Sequence, residues 1–242
     1  MLLKSAKQRK TEKVYKSYEQ IGDDYDIMND IVSFGIHRAW KLKVAEEIKR
    51  GHYRRILDVC CGTGDMALLL AKQNPEAAVK GIDFSRQMLD QAKRRQKKKN
   101  LINVEFLRQN AEQIRFGNGY FDCVVISFGL RNVADFENVL REIYRVLRPG
   151  GFIYCLDSSI PETKEVESMY RAYRNHVIPV VSTVLNGKGW EYRRLAGANK
   201  KFLTKKQLVG LMHKCGFRNV GFLSHLGGIA ACHRGQKPQL YS

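Results

Sequence analysis

Five short apolar runs recur between residues 55 and 156, at 55–60, 77–82, 104–107, 121–127 and 152–156. The first, RILDVC, reads as a buried strand. Helix signals fill most of the gaps. Met66, Leu68, Leu69 and Leu70 follow the first run until Pro75 stops them, and Asp65 stands where it could cap that helix. Ser85 precedes a stretch carrying Met88, Leu89 and Ala92. Phe136, Val139, Leu140, Ile143 and Leu147 recur at helical spacing and end at Pro149-Gly150-Gly151. Strands and helices alternating in this order predict an α/β fold, a doubly wound sheet with helices on both faces.

Outside that rhythm, a helix is expected from about Trp40 to just before Gly51. Another carries Val166, Met169, Tyr170, Tyr173 and Val177, and a third runs over 205–215. The runs 220–225 and 229–233 read as a closing pair of strands. Residues 1–50 are taken as an N-terminal helical lid and substrate-side segment. Residues 51–242 are taken as the main domain, with an insertion over the sheet edge at about 157–202.

In a doubly wound sheet, ligands bind outside the carboxyl ends of the strands. The loop after the first strand reads DVCCGTGD, residues 58–65. Gly62 and Gly64 permit close backbone approach, but the spacing is neither GxGxxG nor GxxxxGK[ST], and no lysine is present to grip phosphates. The second strand ends at Asp83, placed to accept hydrogen bonds from a ribose diol. Asn110-Ala111 follows the third strand and could line an adenine pocket, while Ser127 ends the fourth. Asp58 could steady the loop or face positive groups of a ligand. This lysine-free, acid-lined order suits S-adenosylmethionine, a sulfonium cation with ribose and adenine but no phosphate.

The two cysteines in the loop draw the eye toward metal or redox chemistry. Consecutive residues of a strand point to opposite faces, so Cys60 and Cys61 cannot readily share one ion. The other cysteines, at 123, 155, 215 and 232, form no CxxC, and packing in a reducing compartment is the expected role. No metal is expected. The N-terminus has no apolar secretory core, and the longest apolar tract, 177–185, is interrupted by Pro179 and too short to span a bilayer.

Several stretches together resemble the menaquinone/ubiquinone biosynthesis C-methyltransferases. They are YDIMNDIVSFGIHRAWK (25–41), DVCCGTGD, NAE (110–112), FDCVVISFGLRNVADFENVLREIYRVLRPGG (121–151) and GGIAACHRG (227–235). The resemblance implies the seven-stranded Rossmann-like sheet of class I S-adenosylmethionine-dependent methyltransferases. It places Thr63, Asp83, Asn110, Ala111 and Ser127 at the donor-binding positions. It also implies C-methylation of demethylmenaquinol to menaquinol, with a ubiquinol precursor as a second ring substrate. A lipid-tailed acceptor would set the enzyme in the cytoplasm, peripheral at the inner face of the membrane, in transient contact with anionic lipid. A homodimer stays open.

On the acceptor side, Arg131 is expected to stabilise a quinol oxyanion and Asn132 to orient the hydroxyl or a water. Tyr25, Asp26 and His37 belong to the resembling N-terminal element, with Asp26 or His37 as base, directly or through water. The chain also departs from the pattern. Where the family form resembles EFSKP, this sequence has Asp157-Ser158-Ser159-Ile160-Pro161, and of a YxYL element only Tyr192 and Leu195 remain.

The net charge of +18, with runs such as KRRQKKK at 93–99, favours an anionic partner. Besides a membrane face, it leaves an RNA methyltransferase as a rival reading, and a small-molecule methyltransferase with a soluble acceptor as a closer one. Nucleic acid is disfavoured, because the sequence carries no recognisable RNA-binding appendage or zinc module.

Overall fold

The computed structural model describes residues 35–177 and 203–239. Within them lie α1 (Ile36–Arg50), β1 (Arg55–Val59), α2 (Asp65–Gln73), β2 (Ala78–Asp83), α3 (Arg86–Lys98), β3 (Val104–Arg108) and β4 (Phe121–Ser127). These are followed by α4 (Phe136–Val146), β5 (Leu147–Ser158), α5 (Lys164–Ala172), α6 (Lys205–Lys214), β6 (Arg218–His225) and β7 (Ala230–Gln236). The strands form one sheet in the order β3-β2-β1-β4-β5-β7-β6. β1 to β5 pair in parallel, and β7 inserts antiparallel between β5 and β6. The doubly wound expectation therefore holds, and the two C-terminal runs are the sixth and seventh strands.

Each sheet face carries its own core. On one face Trp40, Val44 and Ile48 of α1, Met66 and Leu70 of α2 and Leu89 of α3 pack on Ile56, Val79 and Val125. On the other, Val139, Leu140 and Ile143 of α4 and Leu208 and Met212 of α6 pack on Leu57, Val59 and Ile126. Buried on both sides, β4 has six buried residues in succession, which is why it reads as an unbroken apolar run. The first helix starts at Ile36, earlier than expected, and its buried Trp40, Val44, Ala45 and Ile48 make it a packed part of the domain.

Two local expectations are corrected. Asp65 does not cap α2. Gly64 holds the cap position in a left-handed conformation (φ 81°), and the Asp65 side chain instead meets Lys41 and Arg95 at 2.9 and 3.0 Å. The helix expected to run up to Pro149-Gly150-Gly151 ends at Val146, and β5, expected from 152, already begins at Leu147 and runs through the Pro-Gly-Gly. Leu147 pairs with Phe121, and the register shifts before Cys123 meets Phe152. That irregularity, with Gly150 at φ 78°, absorbs the residues that would otherwise break a strand.

Candidate active site

The carboxyl ends of β1, β2, β3 and β4 converge on one cleft that opens to solvent, where a doubly wound sheet binds its ligand. Its lining includes Cys60, Gly62, Asp83, Phe84, Met88, Asn110, Ala111, Glu112, Phe128, Gly129 and Asn132.

The glycine loop is tied to β2 before any ligand arrives. The N–H of Gly62 donates to Asp83 Oδ2 at 2.9 Å, and the N–H of Ser85 donates to Oδ1 at 2.9 Å. Burial raises the Asp83 carboxyl above its ordinary value, against the pull of those backbone donors. Cys60 opens the turn at φ 56°, a left-handed conformation that costs a non-glycine residue energy. Gly64 is required by space as well as dihedral, since a Cβ there would lie 2.7 Å from the Phe106 ring. Cys60 packs on the α4 side of the sheet and Cys61 on the α2 side, so the neighbours do occupy opposite layers. Burial pushes both thiols far above neutrality.

Beneath the loop, Asp58 is 1% exposed and neither carboxylate oxygen has a hydrogen-bond partner. Burial pushes it up to about 8, against the lowering effect of nearby Lys41. Ser127 Oγ, at the end of β4, is likewise buried without a partner. Thr63 is 2% exposed, and its Oγ1 and carbonyl oxygen accept from Arg95 Nη1 at 3.0 and 3.3 Å. Burial alone would raise Asp65, but Lys41 and Arg95 outweigh it and hold the carboxyl at about 2.

The loop after β3 is locked to the turn after β4 by Glu112. Its Oε1 accepts the N–H groups of Ala134 and Asp135 at 3.2 and 3.1 Å, while Asn110 Oδ1 accepts the N–H of Glu112 at 2.9 Å. In the turn after β4, Phe128 has φ 55°, its N–H donates to Leu156 O at 2.7 Å, and Asn132 Nδ2 donates to its carbonyl at 3.1 Å. Arg131 Nη1 donates to Asp157 Oδ1 at 2.9 Å and to Ser158 Oγ at 2.8 Å. Burial raises the Asp157 carboxyl, with Arg131 pulling the other way. Lys41 Nζ and the Arg131 guanidinium lie 6.0 and 5.3 Å from the centre of the Phe128 ring. His37, 6% exposed, meets the same ring edge-on at 6.4 Å.

Of the residues singled out in sequence, Gly62, Asp83, Asn110, Ala111 and Asn132 line the cleft. Asp58, Thr63, Gly64 and Ser127 belong to the same strand ends and glycine loop without lining it, and His37 and Arg131 contact the lining residue Phe128. Tyr25 and Asp26 lie outside the described residues. Sequence reasoning passed over Phe84, Met88, Glu112, Phe128 and Gly129. Each follows a strand end within a few residues, and that position is the signal that finds them. Among the described residues no group of three or more His, Cys, Asp or Glu side chains is placed to hold a metal ion.

Comparison with known proteins gives the family. A family model described as the ubiE/COQ5 methyltransferase family matches residues 5–237. The chain belongs to the ubiE/COQ5 methyltransferase family. It is 38% identical over 229 residues to a demethylmenaquinone methyltransferase of Listeria monocytogenes, covering 94% of this chain and 97% of that protein. A demethylmenaquinone methyltransferase of Anoxybacillus flavithermus is 36% identical over 232 residues, covering 96% and 98%. A solved SAM-dependent methyltransferase from Thermotoga maritima superposes with a TM-score of 0.65 at 20% identity, over 92% of this chain and 99% of that one, which is a likeness of fold. This family member is thus an enzyme that takes S-adenosylmethionine as its cofactor.

The residues present fit that group. The orphaned carboxylate of Asp58 lies under the glycine loop, and Asp83 stands at the cleft wall. A cationic ligand with an ammonium and a ribose diol needs acceptors of this kind.

Proposed function

We propose that this enzyme methylates the ring carbon of demethylmenaquinol, giving menaquinol, with the ring of a ubiquinol precursor as a second acceptor. The observation that carries the reading is the 38% identity to the Listeria demethylmenaquinone methyltransferase across nearly the full length of both proteins. The acceptor-side turn supports it, since a fixed guanidinium beside an aromatic wall suits a phenolic ring that must ionise.

When bound, S-adenosylmethionine supplies an electrophilic methyl, whose bond to sulfur breaks as the new bond to the ring carbon forms. In this reading Asp83 holds the ribose hydroxyls, Asn110 and Ala111 flank the adenine, and Gly62, Gly64 and Asp58 hold the amino-acid end. Thr63, turned to Arg95, supports the loop from behind, and Ser127 offers its hydroxyl at the end of β4.

Arg131 favours the ionised quinol hydroxyl, whose electrons then activate the neighbouring carbon. Guanidinium keeps its proton throughout the working range, so its role is electrostatic. Asn132 orients the hydroxyl or a water. The ring proton leaves to a base, His37 or Asp26, directly or through water. His37 is placed beside Phe128 at the cleft wall, and Tyr25 and Asp26 belong to the preceding segment proposed as a lid. The lipid tail implies cytoplasmic work at the inner membrane face, with the positive surface meeting anionic lipid. Among the described residues no helix is long and apolar enough to cross a membrane.

The test offers demethylmenaquinol, a demethylated benzoquinol and total RNA to the enzyme with methyl-labelled cofactor, with and without anionic vesicles. Label in the naphthoquinol, increased by vesicles, is expected. Label in RNA alone would overturn the reading, and label transfer indifferent to vesicles would remove the membrane from it.

A further inference from the structure

The last two residues of β5 reach past the end of β4 toward the turn that carries Arg131. β4 and β5 pair in parallel up to Ser127 and Leu156. Beyond that pair, Asp157 is 3% exposed, and its Oδ2 accepts the backbone N–H of Arg131 at 3.2 Å. Its Oδ1 accepts Arg131 Nη1 at 2.9 Å and the N–H of Ser158 at 2.8 Å. Ser158 Oγ accepts the same Nη1 at 2.8 Å. One guanidinium nitrogen therefore has two oxygen acceptors, and the main chain of the turn is bound by the same carboxylate that binds the side chain.

We propose that Asp157 and Ser158 are a positioning clamp for Arg131, fixing the direction of its guanidinium and offsetting part of its charge at the acceptor side of the cleft. This rests on the reading of Arg131 as the residue that favours the ionised acceptor. A long arginine side chain must be held to within a fraction of its free range for its charge to act on one oxygen. The carboxylate also moderates how strongly the guanidinium draws protons off neighbouring groups. Facing Asp157 are Arg131 from the turn, the Cys60 thiol at the end of β1 and the Cys155 thiol on its own strand. Both thiols stay protonated in the working range, since burial pushes them far up.

The experiment compares Ser158→Ala, Ser158→Thr, Asp157→Asn and Arg131→Ala by steady-state kinetics over pH, with cofactor Kd measured on each. Ser158→Ala should lower kcat about 3- to 10-fold, with KM for the quinol and cofactor Kd within about twofold, and Ser158→Thr should recover most of the loss. Asp157→Asn keeps an oxygen for the Arg131 N–H. It should lower the kcat plateau about 10-fold or more and move its acid limb about one unit to lower pH, because the unopposed guanidinium favours the ionised acceptor. Unchanged kcat and pH limb in both clamp variants, with Arg131→Ala inactive, would overturn the clamp and leave the role of Arg131 standing. Losses confined to cofactor affinity and thermal stability would assign the two residues to structure alone and overturn it too. Full activity in Arg131→Ala would overturn both.

Discussion

The carboxylate of Asp83, at the end of β2, accepts the backbone N–H of Gly62, in the loop after β1, at 2.9 Å. With the second bond from Ser85, this sets the shape of the glycine loop from the neighbouring strand. The loop is therefore held in shape by the sheet itself. Replacing Asp83 with Ala removes two charge-assisted acceptors and the proposed ribose contact. The cofactor Kd should rise roughly 30- to 100-fold, about 2–3 kcal/mol, by calorimetry. Asp83→Asn, which retains one acceptor oxygen, should fall between. A change under about threefold in the Ala variant would remove Asp83 from the site.

Asp58 makes stability depend on pH in an unusual direction. Its folded carboxyl titrates near 8, against the ordinary 3.8. Between those values the folded enzyme holds a proton that the unfolded chain has lost, so stability declines as pH rises through that window and levels off above it. Asp58→Asn should flatten this slope and recover on the order of 2–4 kcal/mol of stability at pH 8 relative to pH 5, seen as a higher melting temperature at pH 8. A cofactor-free melting curve with the same pH slope in both proteins would contradict the burial account.

The adjacent cysteines should be dispensable for chemistry. Cys61 is buried and Cys60 half-buried at the cleft edge, on opposite sides of the sheet, and both thiols are held protonated. The double change Cys60→Ala, Cys61→Ala should retain methyl transfer, with a stability loss of about 1–2 kcal/mol from the trimmed side chains. Slow alkylation of the native protein at neutral pH should accompany it. A folded double variant without transfer would give the cysteines a direct role.

Gly129 abuts Cys60 so closely that a Cβ on it would lie 2.5 Å from the Cys60 Cβ. Gly129→Ala should displace the turn that carries Arg131 and Asn132, cost about 1–3 kcal/mol and weaken cofactor binding. Removing the opposing Cβ with Cys60→Gly should restore much of both, and would also relieve the positive φ at that residue. Strict additivity of the two changes would show that the contact is not what couples them.

The sheet was legible because β1, β2 and β4 are apolar segments followed by glycines or acids, and the ligand side of such a sheet follows from its direction. Asp83 could be placed from its position alone. Three features could not be read. Asp65 has a capping residue's chemistry, but Lys41 and Arg95 claim it from other elements. Pro149-Gly150-Gly151 has a terminator's chemistry, but Leu147 before it pairs with Phe121 and Phe152 after it with Cys123, so it is carried within β5 as an irregularity. Arg131 has Asp135 as a near neighbour in sequence, but its buried ion pair with Asp157, 26 residues away, comes only from the β4–β5 pairing. In each case a contact distant in sequence overrides a sound local signal.

The most direct test of the account is transfer from 13C-methyl-labelled S-adenosylmethionine to demethylmenaquinol, with the product read by 13C NMR. The account predicts a single enriched resonance in the aryl-methyl range, absent when Arg131 is replaced by Ala. An enriched methoxy resonance would place the methyl on oxygen, and no enrichment in the quinol would mean that this cleft serves a different acceptor.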